Sequence, residues 1–476
     1  MSPTAARRCD AVIVGSGPNG LVAAVLLAEA GWSVVVREAA DEPGGGLRTA
    51  ELTVPGFRHD VCSSVHPLAL ASPALRGLLD QVTWCEPEFA LAHPLDGGRA
   101  AILERSLDAT CARMGPDRRR WRALMAPLLR GAGGLVDSLL SPRSLPRASP
   151  VALAEFAAVG GLPATVLARL LQGEETRALY AGCAAHSVLD LGAPVSGGVG
   201  LLLALLGHHV GWPVARGGSS SLTDALVSRL QAAGGVVECG RRVSDLAELP
   251  PARVVLLDLT PRQVVAVAGG MLPSAYARRL SRYRYGAGVF KVDWALDGPV
   301  PWTNPDVGRA GTVHLGGSFA EVAAAERTVA RGGHPDRPFV LFVQATVADR
   351  TRAPDGQHTG WAYCHVPNGS TVDMTEALER QVQRFAPDFR DRILARHVMF
   401  PAQVEAHNAN NVGGDIGGGI ADLRQFLARP VAAAQPWRTP VPGLYLCSSS
   451  TPPGGGVHGM GGWHAARLAL HDAAKG

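Results

Sequence analysis

Apolar and polar residues follow one another along this chain in a pattern that predicts short buried strands separated by helices. Residues 11–14 form an unbroken apolar run, residues 21–30 have the composition of a helix that Gly31 ends, and residues 34–36 form a second apolar run. Short apolar strands on either side of a helix are typical of a parallel βαβ unit. The N-terminal part of the chain therefore predicts the start of an α/β sheet.

Similar elements return in the middle and at the end of the chain. We expect a helix over 222–233, a strand over 236–238 and a buried parallel strand over 252–261, because the last of these segments contains an unbroken apolar run. Residues 444–447 predict a final strand, followed by the glycine-rich loop PPGGGVHGMGG and by a helix that begins at about Trp463. The chain thus both starts and ends with a strand, a glycine loop and a helix.

Composition and charge exclude several classes of protein. The chain has 476 residues, of which 47% are hydrophobic and 18% charged, and this predicts a folded protein large enough for two interlocked domains. A net charge of +4 is small for this length and gives no indication of nucleic-acid binding. The cysteines contain no C-x-x-C pair, so neither a zinc site nor a redox dithiol is expected, and no other metal site is predicted.

Contact with a membrane is left open by the sequence. No apolar run approaches the roughly eighteen residues that span a bilayer, and the N-terminal segment lacks the apolar core of a signal peptide, so we expect a cytoplasmic protein. The apolar stretch 197–212 and the proline-punctuated stretch 135–168 each fit a buried core or a helix that dips into a membrane to collect a substrate. The basic cluster 118–122 fits a solvated helix face, an anionic membrane surface or an acidic partner.

A G-x-G-x-x-G motif lies between the first predicted strand and helix, and an acidic residue follows the second strand. The glycines permit a tight turn and let the backbone approach a pyrophosphate, whose charge the helix N-terminus stabilises. The acidic side chain binds ribose hydroxyls and argues against a 2′-phosphate. The predicted dinucleotide-binding residues are Gly15, Gly17, Pro18, Asn19, Gly20 and Glu38.

Two segments downstream carry a family resemblance. The segment EPGGGLRTA, residues 42–50, adds a second glycine-rich turn with an arginine, and it resembles the FAD-dependent phytoene desaturase and amine oxidase superfamily. The segment PGFRHDVCSSVHP, residues 55–67, resembles the bacterial phytoene-desaturase-like branch of NAD(P)/FAD-dependent oxidoreductases. The family turn often reads G-G-R-x-x-[ST], whereas Gly46 stands at the arginine position here, so we expect Arg48 to supply the charge. The resemblance implies FAD as the cofactor.

The resemblance covers nearly the whole chain and implies an α/β fold. A Rossmann-type FAD-binding domain with a parallel sheet would be interleaved with a substrate domain made of a mixed sheet and helices. We expect FAD-binding segments at residues 1–75, 215–270 and 436–476, and substrate-domain segments at residues 76–214 and 271–435.

The resemblance also implies cofactor contacts beyond the first motif. Val243 would contact the adenine through its backbone. The C-terminal glycine loop would place N–H groups at the pyrimidine end of the flavin, where reduction leaves negative charge. The further cofactor-binding residues are Gly45, Gly46, Arg48, Val243, Gly455, Gly456, Val457 and Met460.

Three side chains are candidates for catalysis, each with a structural alternative. His66 follows a segment that runs beside the flavin ring in related folds, and it is either a proton carrier or a hydrogen-bonded core residue. His458 lies inside the C-terminal glycine loop and is a candidate for contact with flavin or substrate. Lys291 lies in an apolar strand and is a candidate for holding a water over flavin N5, as a lysine does in amine oxidases, although its position does not match their motif.

Other polar residues have roles that the sequence leaves open. Asn408, Asn411 and Asp415 lie on a loop that is either near a ligand or simply a tight turn. Covalent attachment of the flavin, if it occurs, would use His59 or His66.

The residues and the resemblance together predict an FAD-dependent oxidoreductase. We expect it to dehydrogenate a hydrophobic carotenoid, isoprenoid or other natural-product intermediate by hydride transfer to flavin N5. Apart from the C-terminal glycine loop, whose residues 454–459 also read G-x-G-x-x-G and are assigned to the flavin, no second motif of this kind follows a strand, so the electrons would leave to oxygen, a quinone or another acceptor. The alternatives are a flavin amine oxidase, a redox-neutral flavin-dependent isomerase and a non-enzymatic binder on the same fold. Aromatic residues make up only 5% of the chain, which disfavours the aromatic cage of an amine oxidase.

Overall fold

The computed structural model describes residues 9–141 and 150–475. Its strands are β1 (Cys9–Val14), β2 (Val34–Arg37), β3 (Thr49–Ala50), β4 (His59–Asp60), β5 (Trp84–Cys85), β6 (Phe89–Pro94), β7 (Ala100–Leu103), β8 (Val214–Ala215), β9 (Val236–Glu238), β10 (Ala252–Leu257), β11 (Gly288–Leu296), β12 (Ala310–Leu315), β13 (Val340–Val343), β14 (His358–Val366), β15 (Ile393–Met399) and β16 (Leu444–Leu446). Its α-helices are α1 (Pro18–Glu29), α2 (Pro67–Ala71), α3 (Leu107–Arg113), α4 (Arg118–Arg130), α5 (Ala132–Leu140), α6 (Pro150–Gly160), α7 (Ala164–Leu167), α8 (Glu174–Ala185), α9 (Ser196–His209), α10 (Ser220–Ala232), α11 (Pro261–Ala268), α12 (Ser274–Ser281), α13 (Phe319–Ala330), α14 (Thr375–Gln383), α15 (Pro401–His407), α16 (Leu423–Leu427) and α17 (Met460–Ala473).

Five parallel strands form one sheet in the order β16-β10-β1-β2-β9. In β1, Ala11 pairs with Val34 of β2 on one side and with Val254 of β10 on the other. Nearly all of β1 is buried, as an unbroken apolar run requires in a sheet that is covered on both faces. Because the carboxyl ends of parallel strands meet at one edge, the glycine loops after β1 and β16 lie at the same edge, on either side of the loop after β10.

The helices that follow the two glycine loops pack tightly against each other. Pro18 occupies the first turn of α1, where its missing N–H removes no helical hydrogen bond. Asn19 accepts a hydrogen bond through Oδ1 from the N–H of Gly461, at 3.1 Å. A Cβ at Gly462 would lie 1.8 Å from the carbonyl oxygen of Asn19, so only glycine permits this approach of α17 to α1.

Seven strands form a mixed sheet in the order β15-β11-β14-β13-β12-β6-β7. One of its faces packs into an apolar core around Phe290, Trp294 and Phe342. Side chains alternate between the faces of a strand, so the residues between these positions point the other way. The opposite face carries Thr312 of β12 and Tyr363 of β14, and both line the cavity described below.

A layer of helices, α4 to α9, packs beside the mixed sheet. Helix α9, which covers most of the stretch 197–212, is almost wholly buried, as expected for a core helix. In α4, Trp121 is buried while the arginines at 118–120 are exposed, as on a solvated helix face. Within the stretch 135–168, residues 142–149 lie outside the described residues.

Within the described part of the chain, no single helix is both long and apolar enough to cross a bilayer. One bent pair of helical segments, Gly115–Arg130 and Ala132–Leu140, is long and apolar enough when the two are counted as one segment.

The predicted strands and helices of both glycine-loop units are present, with some changes at their ends. The strand over 236–238 has the predicted bounds, and helix α10 begins two residues before the predicted 222. Helix α1 starts at Pro18, before the predicted residue 21, because proline is preorganised for the first helical turn. The predicted start of the last helix at Trp463 is wrong: α17 begins at Met460, directly after Gly459, whose left-handed φ of 67° ends the loop. The predicted domain boundaries stay a prediction.

Candidate functional site

A cavity of ≈ 980 Å³ is bounded by the edge of the parallel sheet, one face of the mixed sheet and the helical layer. Its volume is at the upper end of the roughly 300–1,000 Å³ typical of ligand sites. We call one part the cofactor end, which is lined by Gly15, Gly17, Glu38, Gly45, Asp258, Gly455 and neighbouring residues. We call the other part the apolar compartment, which is lined by Leu139, Leu140, Phe156, Val199, Leu202, Leu203 and Trp212.

The structure brings most of the predicted cofactor residues together at the cofactor end. Gly20 and Met460 are the two that do not line the cavity. A Cβ at Gly20 would lie 2.2 Å from the carbonyl oxygen of Gly15, so Gly20 permits the tight turn although it does not line the cavity. The predicted residues in the cavity wall are Gly15, Gly17, Pro18, Asn19, Glu38, Gly45, Gly46, Arg48, Val243, Gly455, Gly456 and Val457.

Glu38 is held in place by protein donors on both of its carboxylate oxygens. Oε2 accepts hydrogen bonds from the N–H and the hydroxyl of Ser16, at 3.0 and 2.5 Å. Oε1 accepts one from the N–H of Ala40 at 2.8 Å and one from Arg48 Nη2 at 3.3 Å. Arg48 also donates to the carbonyl of Glu42 at 2.7 Å. Arg48 therefore lines the cavity while fixing the predicted ribose-binding acid.

Asp258 is a site residue that the sequence reasoning missed. It directly follows β10, between the two glycine loops, and its Oδ2 accepts a hydrogen bond from the N–H of Gly20 at 3.0 Å. Burial raises the pKa of its carboxyl to about 7, the N–H of Gly20 opposes this rise, and the charge of Glu38 adds to it. One signal was available in the sequence, namely an acidic residue at the carboxyl end of an otherwise apolar parallel strand.

The residues at the cofactor end fit a dinucleotide such as FAD. The two N-terminal glycine turns are in contact, since a Cβ at Gly45 would lie 3.0 Å from Cα of Gly17. At the C-terminal loop, a Cβ at Gly455 would lie 2.6 Å from the carbonyl oxygen of Gly417. Both α1 and α17 begin at this end of the cavity, so the positive ends of two helix dipoles flank it. This is a cradle for a ligand with two separate anionic or electron-rich groups.

His458 lines the cavity, but both of its ring nitrogens are bound to the loop that contains it. Nδ1 accepts a hydrogen bond from the N–H of Met460, at 3.1 Å. Nε2 therefore carries the proton and donates to the carbonyl of Gly454, also at 3.1 Å. Burial lowers the pKa of His458 to about 4, so the ring is neutral at physiological pH. The ring fixes the shape of the glycine loop, and its contact with flavin or substrate stays a prediction.

His66 also lines the cavity, with a different pattern of hydrogen bonds. Its Nε2 lies 2.9 Å from the hydroxyl of Ser219, and that hydroxyl donates its proton to the carbonyl of Ser63. His66 must then donate from Nε2, which leaves the lone pair on Nδ1. Nδ1 is buried and has no partner among the described residues. Burial lowers the pKa of His66 to about 4.

Lys291 lies beside the main cavity rather than in its wall. It is buried in β11, where its ammonium group pairs with Asp293 and lies 5.5 Å from the ring centroid of Trp361. It lines a second, much smaller cavity of ≈ 10 Å³, a volume near that of one water molecule. Trp361 and Tyr363 line both cavities. The structure therefore brings Lys291 next to the site without placing it on the surface that a ligand would contact.

The remaining polar candidates fall into two groups. Asn408, Asn411 and Asp415 line the cavity, and Asp415 accepts hydrogen bonds from the N–H groups of three glycines at 2.7 to 2.9 Å, which are Gly286, Gly417 and Gly419. A tight turn accounts for the bonds from Gly417 and Gly419, whereas the bond from Gly286 ties this loop to the segment before β11. His59 is buried outside the cavity wall, and its Nε2 lies 2.9 Å from the hydroxyl of Thr53.

Comparison with known proteins identifies relatives of the whole chain. Residues 13–82 match the family model of the NAD(P)-binding Rossmann-like domain. Over 557 aligned residues the chain is 26% identical to pyridine nucleotide-disulfide oxidoreductase domain-containing protein 2 of Rattus norvegicus, covering 97% of this chain and 93% of that protein. The chain is a homologue of that protein. A shorter match, 31% identical over 105 residues, joins 21% of this chain to 19% of one component of the limonene dehydrogenase of Castellaniella defragrans.

Solved structures with the same architecture cover the chain almost completely. An oxidoreductase from Methanosarcina mazei superposes with a TM-score of 0.64 at 17% identity, covering 98% of this chain and 100% of that one. A variant of putrescine oxidase superposes with a TM-score of 0.63 at 17% identity, covering 98% of this chain and 99% of that chain. At this identity the likeness concerns the fold, and it confirms the predicted α/β architecture. The homologue and both neighbours are oxidoreductases by name, in agreement with the predicted enzyme class.

Proposed function

We propose that this protein is an FAD-dependent oxidoreductase that dehydrogenates a hydrophobic substrate, namely a carotenoid, an isoprenoid or another natural-product intermediate. The observation that carries the proposal is one continuous cavity, in which a dinucleotide cradle opens into an apolar compartment. Among the described residues that line it, the carboxylates are Glu38, Asp258 and Asp415, and all three lie beside the glycine loops. The similarity to a component of limonene dehydrogenase supports an apolar isoprenoid substrate.

Different residues of this chain would bind the cofactor, position the substrate and accept the proton. Gly15, Gly17 and Glu38 would hold the adenine nucleotide half of FAD, and the Gly455–Val457 loop would hold the flavin. When bound, FAD supplies the two-electron acceptor for the hydrogen removed from carbon. The apolar compartment positions the substrate and excludes water, and the lone pair on His66 Nδ1 accepts the proton that leaves with the hydride. Oxygen or a quinone takes the electrons onward.

Reconstitution with FAD tests the proposal in two stages. The purified protein should show flavin absorbance bands after FAD is added and unbound cofactor is removed, and anaerobic addition of limonene or a longer polyene should bleach them. The matched control is Gly17→Val, because even a Cβ at Gly17 would lie 2.6 Å from Asp258 Oδ2, so this variant should not retain flavin. A parent protein that binds no flavin would overturn the proposal.

A flavin amine oxidase is a second candidate, because two aromatic side chains stand together in the cavity wall. The rings of Trp361 and Tyr363 are 5.3 Å apart between centroids and nearly perpendicular, at 78°. An aromatic pair of this kind is able to bind a cationic amine through its ring faces. Peroxide release during turnover of putrescine or cyclohexylamine would favour this function over desaturation.

A further inference from the structure

The apolar compartment has one polar wall, formed where helix α8 meets the mixed sheet. His186 and Ser187 directly follow α8, while Thr312 and His314 are two residues apart on β12 and therefore share one face of the sheet. Nε2 of His186 lies 2.9 Å from Nε2 of His314. The helix is able to come this close because a Cβ at Gly182 would lie 2.3 Å from Nδ1 of His314. We call these four residues, His186, Ser187, Thr312 and His314, the histidine wall; the first three line the cavity, and His314 lies behind His186.

Several polar atoms of the histidine wall are buried without a partner among the residues that the structure describes. The hydroxyls of Ser187 and Thr312 make no hydrogen bond among the described residues. Nδ1 of His314 is also unpartnered among them, but it packs against Gly182 of α8 and not against the cavity. Ser187 is 5% exposed and Thr312 is fully buried, yet both line the cavity. Leaving a buried polar group unpaired costs free energy, so native proteins rarely retain several in one place without a ligand to satisfy them.

The histidine pair offers hydrogen bonds without a charge. Burial lowers the pKa of His186 to about 3 and that of His314 well below its usual value, so both rings are neutral. One N–H lies between the two Nε2 atoms, and the tautomer decides which ring donates it. If His186 donates, its Nδ1 presents a lone pair; if His314 donates, the Nδ1 of His186 presents an N–H. Nδ1 of His186 can therefore form a hydrogen bond with either a donor or an acceptor on a ligand.

The backbone beside the wall is strained. Val188 and Val195 have φ angles of 55° and 73°, and both line the cavity. β-Branched residues rarely occupy this left-handed region, and strained backbone of this kind concentrates at ligand-binding sites. Trp212, Leu203 and Leu341 line the cavity beside the wall and carry no charge, and the buried pair of His365 with Glu326 lies outside the cavity wall. The wall is therefore a fixed, uncharged and unsatisfied hydrogen-bonding surface in an otherwise apolar chamber.

We propose that the histidine wall binds a neutral oxygen head group, a hydroxyl or a carbonyl, on an otherwise apolar substrate. Ser187, Thr312 and His186 would bind the head group, while His314 positions His186 from behind. The apolar body would lie along Leu202 and Phe156. This proposal deepens the proposed function by naming the substrate class, and it rests on that function only for the oxidation of the bound molecule.

The test is a binding comparison on the FAD-loaded protein with a set of molecules that share one carbon chain. The probes are 1-decanol, 2-decanone, 1-decene, decanoate and decylamine, and binding is followed by the shift in flavin absorbance and by displacement of an apolar fluorescent dye. Decanol and decanone should bind more tightly than the other three. Thr312→Val and His186→Phe should each weaken the binding of decanol about tenfold, which corresponds to the loss of one good hydrogen bond. The binding of decene should not change. His209→Phe is the control, because His209 is on α9 outside the cavity wall.

The outcomes separate this proposal from the proposed function. Thr312→Val is nearly isosteric, so it keeps the test valid if His186→Phe fails to fold. Equal losses for decanol and decene would overturn the proposal, as would tighter binding of decylamine or decanoate than of decanol. A protein that shows the decanol preference by dye displacement but binds no flavin would overturn the proposed function and leave the histidine wall in place.

Discussion

Asp258 places a buried carboxyl group between the two glycine loops, where the pyrophosphate of a dinucleotide would add more negative charge. Replacing it by asparagine removes the ionisable group and keeps an oxygen that accepts the hydrogen bond from the N–H of Gly20, which is 3.0 Å from Oδ2 in the parent. The substitution Asp258→Asn therefore isolates the effect of the charge from that of the hydrogen bond.

The size of the change in the free energy of unfolding follows from the pKa of the Asp258 carboxyl group. Burial raises it from 3.8 to about 7 in the folded protein. Between these two values the folded state holds a proton that the unfolded state has lost, so the free energy of unfolding falls as the pH rises through this window. At about 1.4 kcal/mol for each pKa unit, the total loss is roughly 4 kcal/mol, of which about 3 kcal/mol falls above pH 5. Ionised Asp258 would also repel the pyrophosphate and weaken FAD binding at high pH.

Urea unfolding of parent and variant at about pH 5 and about pH 8 measures this effect. The stability of Asp258→Asn relative to the parent should rise by about 3 kcal/mol between the two conditions, and the variant should bind FAD more tightly at the higher pH. Buried histidines such as His66, whose pKa is lowered to about 4, titrate in both proteins and cancel in the comparison. Asp80→Asn, at an exposed carboxylate, is the control. A stability difference that is constant with pH would refute the reasoning.

Three other outcomes are expected. His66→Leu should slow anaerobic flavin reduction about a hundredfold with FAD still bound, because it removes the unpartnered Nδ1; an unchanged rate in stopped-flow absorbance would exclude this role. Gly462→Ala should lower the thermal unfolding midpoint, because its Cβ would lie 1.8 Å from the carbonyl oxygen of Asn19, whereas Gly133→Ala, with open space around it, should not; equal midpoints would contradict the packing argument. Acid precipitation should release the flavin into the supernatant, because His59 lies outside the cavity wall and His66, the other candidate anchor, is proposed to keep its Nδ1 free for the proton; flavin absorbance in the pellet would count against this and indicate His66 as the anchor.

The sequence was most informative where the relevant residues are close along the chain. The unit of β1, glycine loop, α1 and β2 with Glu38 at its end was predicted almost completely, because each part has a local signal in glycine spacing or apolar runs. The family resemblance assigned β10 and β16 to the same domain as β1, but their order beside β1 was established only by the structure. Asp258 was missed because its environment is built by the loops after three different strands, and no local pattern shows that they converge on one carboxyl group.

His458 and His66 show that a sequence motif predicts where a histidine lies in the fold better than it predicts the chemical role of that histidine. His458 is a strong candidate by sequence, since it lies within the C-terminal glycine loop, yet its two ring nitrogens are bound to Met460 and Gly454. Protonating Nδ1 would break the first of these bonds, so a proton-carrying role would deform the loop that the ring supports. His66 lies far from that loop in sequence, and its Nδ1 has no partner in the described part of the chain, while Ser219 accepts a hydrogen bond from its Nε2. We therefore propose His66, rather than His458, as the proton acceptor, because its neighbours leave one lone pair unused.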